Sequence, residues 1–281
     1  MADPTLSYCA DQVRRFDNDR FLTALFAPAN RREDLFALYA FNLEVAKTRE
    51  VVTEPMLGQI RLQWWRDTID QIYAGQERRH EVVQPLGAAV RRHGLERALF
   101  DRLVDAREAD LDDSAPASLD CLVNYANSTA APLVQLASQV LGVNDAPAMQ
   151  AARHVGIAWA LTGILRSVPF LARAHRTRLP ADLMATHGVM ENALFDGKAG
   201  PGLAAVVKEV AAVARDHLAQ ARALRREVPK VALPALLPAT LADLYLGVLA
   251  REGHDPSAAR VQLQNPFRQV RLGWAALTGR W

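Results

Sequence analysis

Apolar residues in this chain recur at helical spacing from end to end, and no stretch alternates polar and apolar with period two for long. That periodicity points to one class of fold, an all-α protein in which each helix buries one face against its neighbours. Prolines mark the joints. Pro28, Pro55, Pro85, Pro116, Pro147, Pro180, Pro201 and Pro256 each fall near a change of pattern, since proline starts helices and interrupts their interiors. Helices are predicted near residues 5–15, 31–51, 56–74, 95–110, 117–141, 147–167, 202–227, 239–251 and 266–278. The second has Asn30 placed to cap it and Glu33 at N3 to answer. The polar region from Thr186 to Gly202 is predicted as a long surface loop. No repeat or low-complexity linker divides the chain, so a single domain over residues 1–281 is expected.

A formal net charge of +2 gives no general basic footprint, and no nucleic-acid partner is expected. Lysine occurs only at 47, 198, 208 and 230, which makes Lys47 a less generic choice than any of the many arginines. Cys9 and Cys121 match no metal or redox spacing, in keeping with a reducing compartment. The opening "MADPTLSYCADQ" carries neither a signal nor a transit pattern, so a cytoplasmic location is expected. Val231 to Ala250 holds one charge, Asp243, and is about as long as a membrane-spanning helix. Pro234 and Pro238 break it early, which leaves a buried helix from about Ala239 to Ala250.

Two helices carry polar or small residues where an apolar stripe should continue. In "LFALYAFNLEVAKTREVV" the residues Leu35, Leu38, Tyr39, Asn42, Val45, Ala46 and Arg49 share one face at 100° per residue. Glu50 lies beside that face and Lys47 further round. A guanidinium so placed either pairs with an internal carboxylate or, at a cavity mouth, meets water or an anion. In "VGIAWALTGILRS" the residues Gly156, Ala160, Gly163 and Ser167 form a stripe of small side chains, which serves either close helix packing or the wall of a cavity.

These two helices resemble those of the squalene/phytoene synthase family, all-α enzymes that join two prenyl diphosphates head to head. Arg32 before "LFALYAF", Leu62 with Trp65, "YANSTAAP" around Tyr125, and "VGIAWALTGILR" ending in Arg166 and followed by "RLP" carry the resemblance. It implies an isoprenoid-synthase-like helical bundle around a central cavity. In the enzymes two aspartate-rich motifs face each other across that cavity and hold magnesium. Here the first motif's positions read Ala46, Lys47 and Glu50, and the second motif's read Ala160, Gly163, Ser167 and Leu171. One carboxylate remains, so no metal and no catalytic residue is expected, and the small stripe reads as the remnant of a polar wall. Magnesium would enter only if the chain were active. The ligand candidates are Arg32, Tyr39, Asn42, Lys47, Arg49, Glu50, Tyr125 and Arg166. A separate acidic series, Asp101, Asp105, Glu108 and Asp112, is interleaved with arginines and reads as a self-paired solvated face.

"AFNLEVAKTREVV" and "IRLQWWRDTIDQIY" look most like the family's non-enzymatic branch, which includes an assembly factor of respiratory complex I. The resemblance implies a catalytically inactive protein that assists assembly of the NADH:quinone oxidoreductase, with a complex I subunit or assembly intermediate as partner. An isoprenoid or lipid ligand in the cavity is compatible with it. The alternative is a prenyl-diphosphate transferase with a rewired site, in which Lys47, Arg49 and Arg166 grip phosphate directly. The C-terminal "NPFRQVRLGWAALTGRW" mixes Phe267, Arg268, Arg271, Trp274 and Trp281. That mixture suits either a helix packed on the bundle or one lying at the inner face of the plasma membrane.

Overall fold

The computed structural model describes residues 6–52 and 54–281, and among them only helices and their connections occur. The N-terminal half comprises α1 (Tyr8–Phe16), α2 (Asn18–Ala24), α3 (Ala29–Ala46), α4 (Thr48–Val51), α5 (Pro55–Tyr73), α6 (Val83–His93) and α7 (Arg97–Ala106), which tightens into a 3-10 turn at Arg107–Leu111. Then follow α8 (Leu119–Val140), α9 (Ala146–Arg173), α10 (Ala181–Thr186), α11 (Glu191–Phe195) and α12 (Gly202–Ala223). A 3-10 turn at Lys230–Ala232 leads into α13 (Leu233–Leu236), α14 (Pro238–Arg251), α15 (Ala259–Gln262) and α16 (Arg268–Thr278).

Local chemistry accounts for the ends. Ser118 Oγ accepts from Cys121 N at the start of α8, and Asp145 Oδ1 from Ala148 N at the start of α9, each satisfying a donor the helix leaves open. Three expectations need correction. The second predicted helix starts two residues earlier, directly after Pro28, whose fixed φ sets the entry; Asn30 lies inside the first turn and caps nothing. That helix also stops at Ala46, and Lys47 forms a joint before the short α4. The region 186–202 is not a plain surface loop, because α11 folds within it and buries Leu194, beside a buried Val189.

Two cores share one helix. Leu35, Phe41, Trp65, Ile69 and Phe100 belong to an N-terminal core, whereas Val155, Leu161, Val207, Val210 and Leu246 belong to a C-terminal one. α8 supplies both: Leu133, Leu136 and Val140 face the first, Leu122 and Val134 the second. A small third cluster, with Leu237, Leu241, Tyr245, Leu272 and Ala275, seats α16 on α14. The apolar run after Lys230 splits as its prolines demand, the pieces meeting at 42°, and Leu241, Ala242, Leu246 and Leu249 are buried. α9 is long and apolar enough to cross a membrane, and half of its apolar window is buried against its neighbours.

Candidate functional site

The positions aligned with the first motif lie at the end of α3, its joint and α4, and those of the second on α9; α3 packs on α1, α6 and α8, and α9 on α8, α12 and α14, so α8 is the neighbour they share. Two bridges fix how they are related. At one end the Arg20 guanidinium, ion-paired with Asp17, sits over both the Tyr39 ring of α3 and the Trp159 ring of α9 at about 5.9 and 5.8 Å. At the other end Arg49 of α4 grips Asp113 through one amino group, Nη2 lying 3.0 and 2.9 Å from its two oxygens, and Arg176 beyond α9 reaches the same carboxylate at 2.8 Å. Asn42 and Ala46 fall between these bridges on α3, and Ala160, Gly163 and Ser167 fall between them on α9. The motif positions on α3 and α9 therefore lie between the same two bridges.

The small stripe divides in two. A Cβ at Gly156 would lie 2.5 Å from Ala131 Cα and 2.7 Å from Ala130 O, so this glycine lets α8 and α9 touch backbone to backbone. A Cβ at Gly163 would meet nothing within 4 Å, and Ala160, Ser167 and Leu171 are only half-buried. Close packing thus occupies the start of the stripe, and its remainder is open.

The charged candidates are distributed less simply. Lys47 pairs with Glu44, whose other oxygen takes Arg61 of α5 at 2.6 Å. Lys47 is thereby paired on the α5 side. Arg49 forms the internal ion pair, and Glu50 is exposed. Arg32 donates from Nε to Ala27 O at 2.9 Å, fastening the turn before α3, well away from Asn42. Arg166 lies 4.0 Å over the Tyr245 ring, and its buried Nε has no protein partner among the described residues. Tyr125 donates to Asp110 at 2.7 Å and accepts from Arg107 at 3.0 Å, while Arg178 holds the same Asp110 at 3.1 Å. Burial, opposed by Arg107, pushes the Tyr125 phenol up to about 12, so it stays protonated as a donor. Tyr39, fully buried, is likewise pushed up by desolvation.

Sequence reasoning missed Asp17, Asp19 and Arg20, because α2 falls where a connection is predicted. It also missed Asp113 and Arg176. The "DNDR" run after α1 was the available signal, since Asp17 caps α2 by accepting from Arg20 N. The acidic series pairs in part and with other arginines than the interleaved ones: Arg66 takes Asp105 and Glu108, each at 2.7 Å, and Arg97 takes Asp101, while Asp112 accepts from Ser114 N.

The donor set does not suit magnesium, which takes oxygen ligands from carboxylates and phosphate. Between the two bridges the motif positions offer alanine, glycine and leucine, the Ser167 hydroxyl donates instead to Ile164 O at 2.9 Å, and Glu50 stands alone. Among the described residues no three His, Cys, Asp or Glu side chains gather into a metal-holding group.

The profile described as squalene/phytoene synthase matches residues 13–266, nearly the whole chain. The chain belongs to the squalene/phytoene synthase family. Within that family it is 34% identical, over 96% of its length and 81% of the relative's, to the Bos taurus protein named NADH dehydrogenase (ubiquinone) complex I, assembly factor 6. The Homo sapiens protein of the same name is 33% identical over 94% of the chain and 80% of its own length. The fold agrees with that of a crystallised dehydrosqualene synthase, with a TM-score of 0.82 over 97% of this chain and 95% of that one at 18% identity. The chain thus keeps the family's all-α bundle.

Proposed function

We propose that this protein is a non-catalytic squalene/phytoene synthase family member that assists the assembly of respiratory complex I. The observation that carries the reading is the make-up of the two motif regions. α3 places Asn42 and Ala46 there, α9 places Ala160, Gly163 and Ser167, and the Arg49–Asp113–Arg176 bridge ties their far end. Side chains of that chemistry suit contact with an apolar chain or a subunit, and supply none of the carboxylates with which magnesium would hold a leaving diphosphate. Relatives named as complex I assembly factors supply the partner class, a complex I subunit or assembly intermediate. The place of action in this reading is the cytoplasm at the inner face of the plasma membrane. The test is deletion of the gene followed by native gels of solubilised membranes; loss of assembled complex I is expected, restored by the wild-type gene. Unchanged complex I would overturn the assembly role.

One observation favours a second reading. Arg49, Arg176 and Arg178 converge on Asp110 and Asp113, so three guanidiniums meet two carboxylates, a surplus of positive charge that suits a phosphate group without magnesium. Incubating the purified protein with farnesyl and geranylgeranyl diphosphates, with and without magnesium, separates the two. A C30 or C40 product would establish a prenyltransferase, and its absence together with lost complex I supports the assembly role.

A further inference from the structure

The C-terminal helix is held from one side and bare on the other. Leu272 and Ala275 are buried against α14, Arg268 is fastened to Asp19 at 3.0 Å and to Asn18 at 2.6 Å, and Trp281 is turned inward with its carbonyl taken by Arg222. Arg268 and Trp281, expected among the surface contacts, therefore anchor the helix instead. The opposite face is apolar and open. Phe267, Val270, Trp274 and Leu277 fall within an arc of about 80°, and each is exposed, Trp274 at 67% and Leu277 at 86%. Leu263 extends the stripe just before the helix.

Uncompensated positive charge borders this stripe. Arg271 stands beside it on the helix, and its far end opens into a groove of about 620 Å³ in which Leu277 and Gly279 meet Arg225, Arg226 and Lys230. Among the described residues none of Arg225, Arg226, Lys230, Arg271 or Arg280 forms an ion pair, whereas Arg49, Arg66 and Arg178 are each matched to a carboxylate. Glu227, in the same turn, is exposed and is the one acid among these cations. An apolar stripe with a tryptophan at its centre, flanked by cations without internal partners, complements a bilayer surface, where acyl chains take the stripe and phosphates the cations. A folded protein partner would need its own acidic rim around a groove; an anionic bilayer provides that arrangement continuously.

We propose that α16 and the basic groove beside it form a docking surface for an anionic phospholipid bilayer, the stripe entering the interface and Arg225, Arg226 and Lys230 meeting lipid phosphates. This deepens the membrane-face location given above and is independent of whether complex I is the client.

The test is co-sedimentation of the full-length protein with phosphatidylcholine vesicles, alone and mixed with phosphatidylglycerol. Binding is expected to the mixed vesicles and to weaken with salt. The pair Trp274→Ser with Leu277→Ser should lower it, as should Arg226→Glu with Lys230→Glu, each by roughly tenfold or more. These side chains are exposed, so the variants keep the fold, which circular dichroism checks. Phe170→Ser, another exposed apolar position outside α16, should leave binding unchanged. No binding to either vesicle, equal binding to both, or binding indifferent to both pairs of substitutions would overturn the proposal. So would α16 variants that lose complex I assembly while retaining vesicle binding, since the stripe would then read a protein. Vesicle binding with normal complex I in the deletion strain would uphold this surface and remove the assembly role alone.

Discussion

Gly156 and Gly163 lie seven residues apart on one helix face and demand opposite things of a side chain. Gly156→Ala places a methyl group against the Ala131 backbone, which has little room to retreat, and should destabilise by on the order of 2 kcal/mol. Gly163→Ala places one in open space and gains helix propensity, so chemical denaturation should show stabilisation of about 0.5–1 kcal/mol. The sequence made the stripe visible but left open which glycine did which, because that depends on how close α8 approaches. The same holds for Arg49. Its conflict with an apolar face was legible, while its partner Asp113, sixty-four residues away, was set only by tertiary placement. Another polar pair on α9 has a pH signature. His154 lies with its Nδ1 2.8 Å from that of His217 on α12, and burial, then His217 and Arg153, hold its pKa down to about 4, from 6.5. The native state consequently binds fewer protons than the unfolded chain between these values. Stability should fall as pH drops from 6.5 toward 4, by on the order of 2 kcal/mol, and level off below. Urea melts across that range check it, and His154→Gln should flatten the dependence.

At the scale of elements, the long helices were readable because their apolar spacing runs for many turns. α5, α8, α12 and α14 begin and end within a few residues of expectation. The short ones were hidden for specific reasons. α2 has only seven residues and follows α1 through a single joint at Asp17. α6 carries Pro85 in its first turn, where proline removes no hydrogen bond, although proline there reads equally as a break. α3 reads as continuous with α4 because nothing local announces the joint at Lys47; the turn places Arg49 toward Asp113 and Lys47 toward Glu44. The Asp113 bridge should matter for position more than for stability. Asp113 is 54% exposed, so Asp113→Asn is expected to cost no more than about 1 kcal/mol, less at high salt. Hydrogen exchange should instead show faster opening of α4 and of the 107–113 segment in that variant.

The whole molecule depends on α8, which contributes adjacent residues to separate cores. Leu133 packs with the N-terminal core and Val134 with the C-terminal one, so neither can melt without disturbing the helix that serves the other. Leu133→Ala and Val134→Ala should therefore shift the same single calorimetric transition, by on the order of 2–3 kcal/mol each. Two separate transitions would show that the halves unfold independently. The seat of α9 on α8 at Gly156 is a contact between main chains, and main chains do not change when side chains are exchanged. The spacing of α8 and α9 is consequently set where backbone meets backbone at Gly156. Residues further along α9, such as Ala160 and Gly163, are free to vary while the two helices stay in register. A scaffold of that kind can change occupation without being rebuilt.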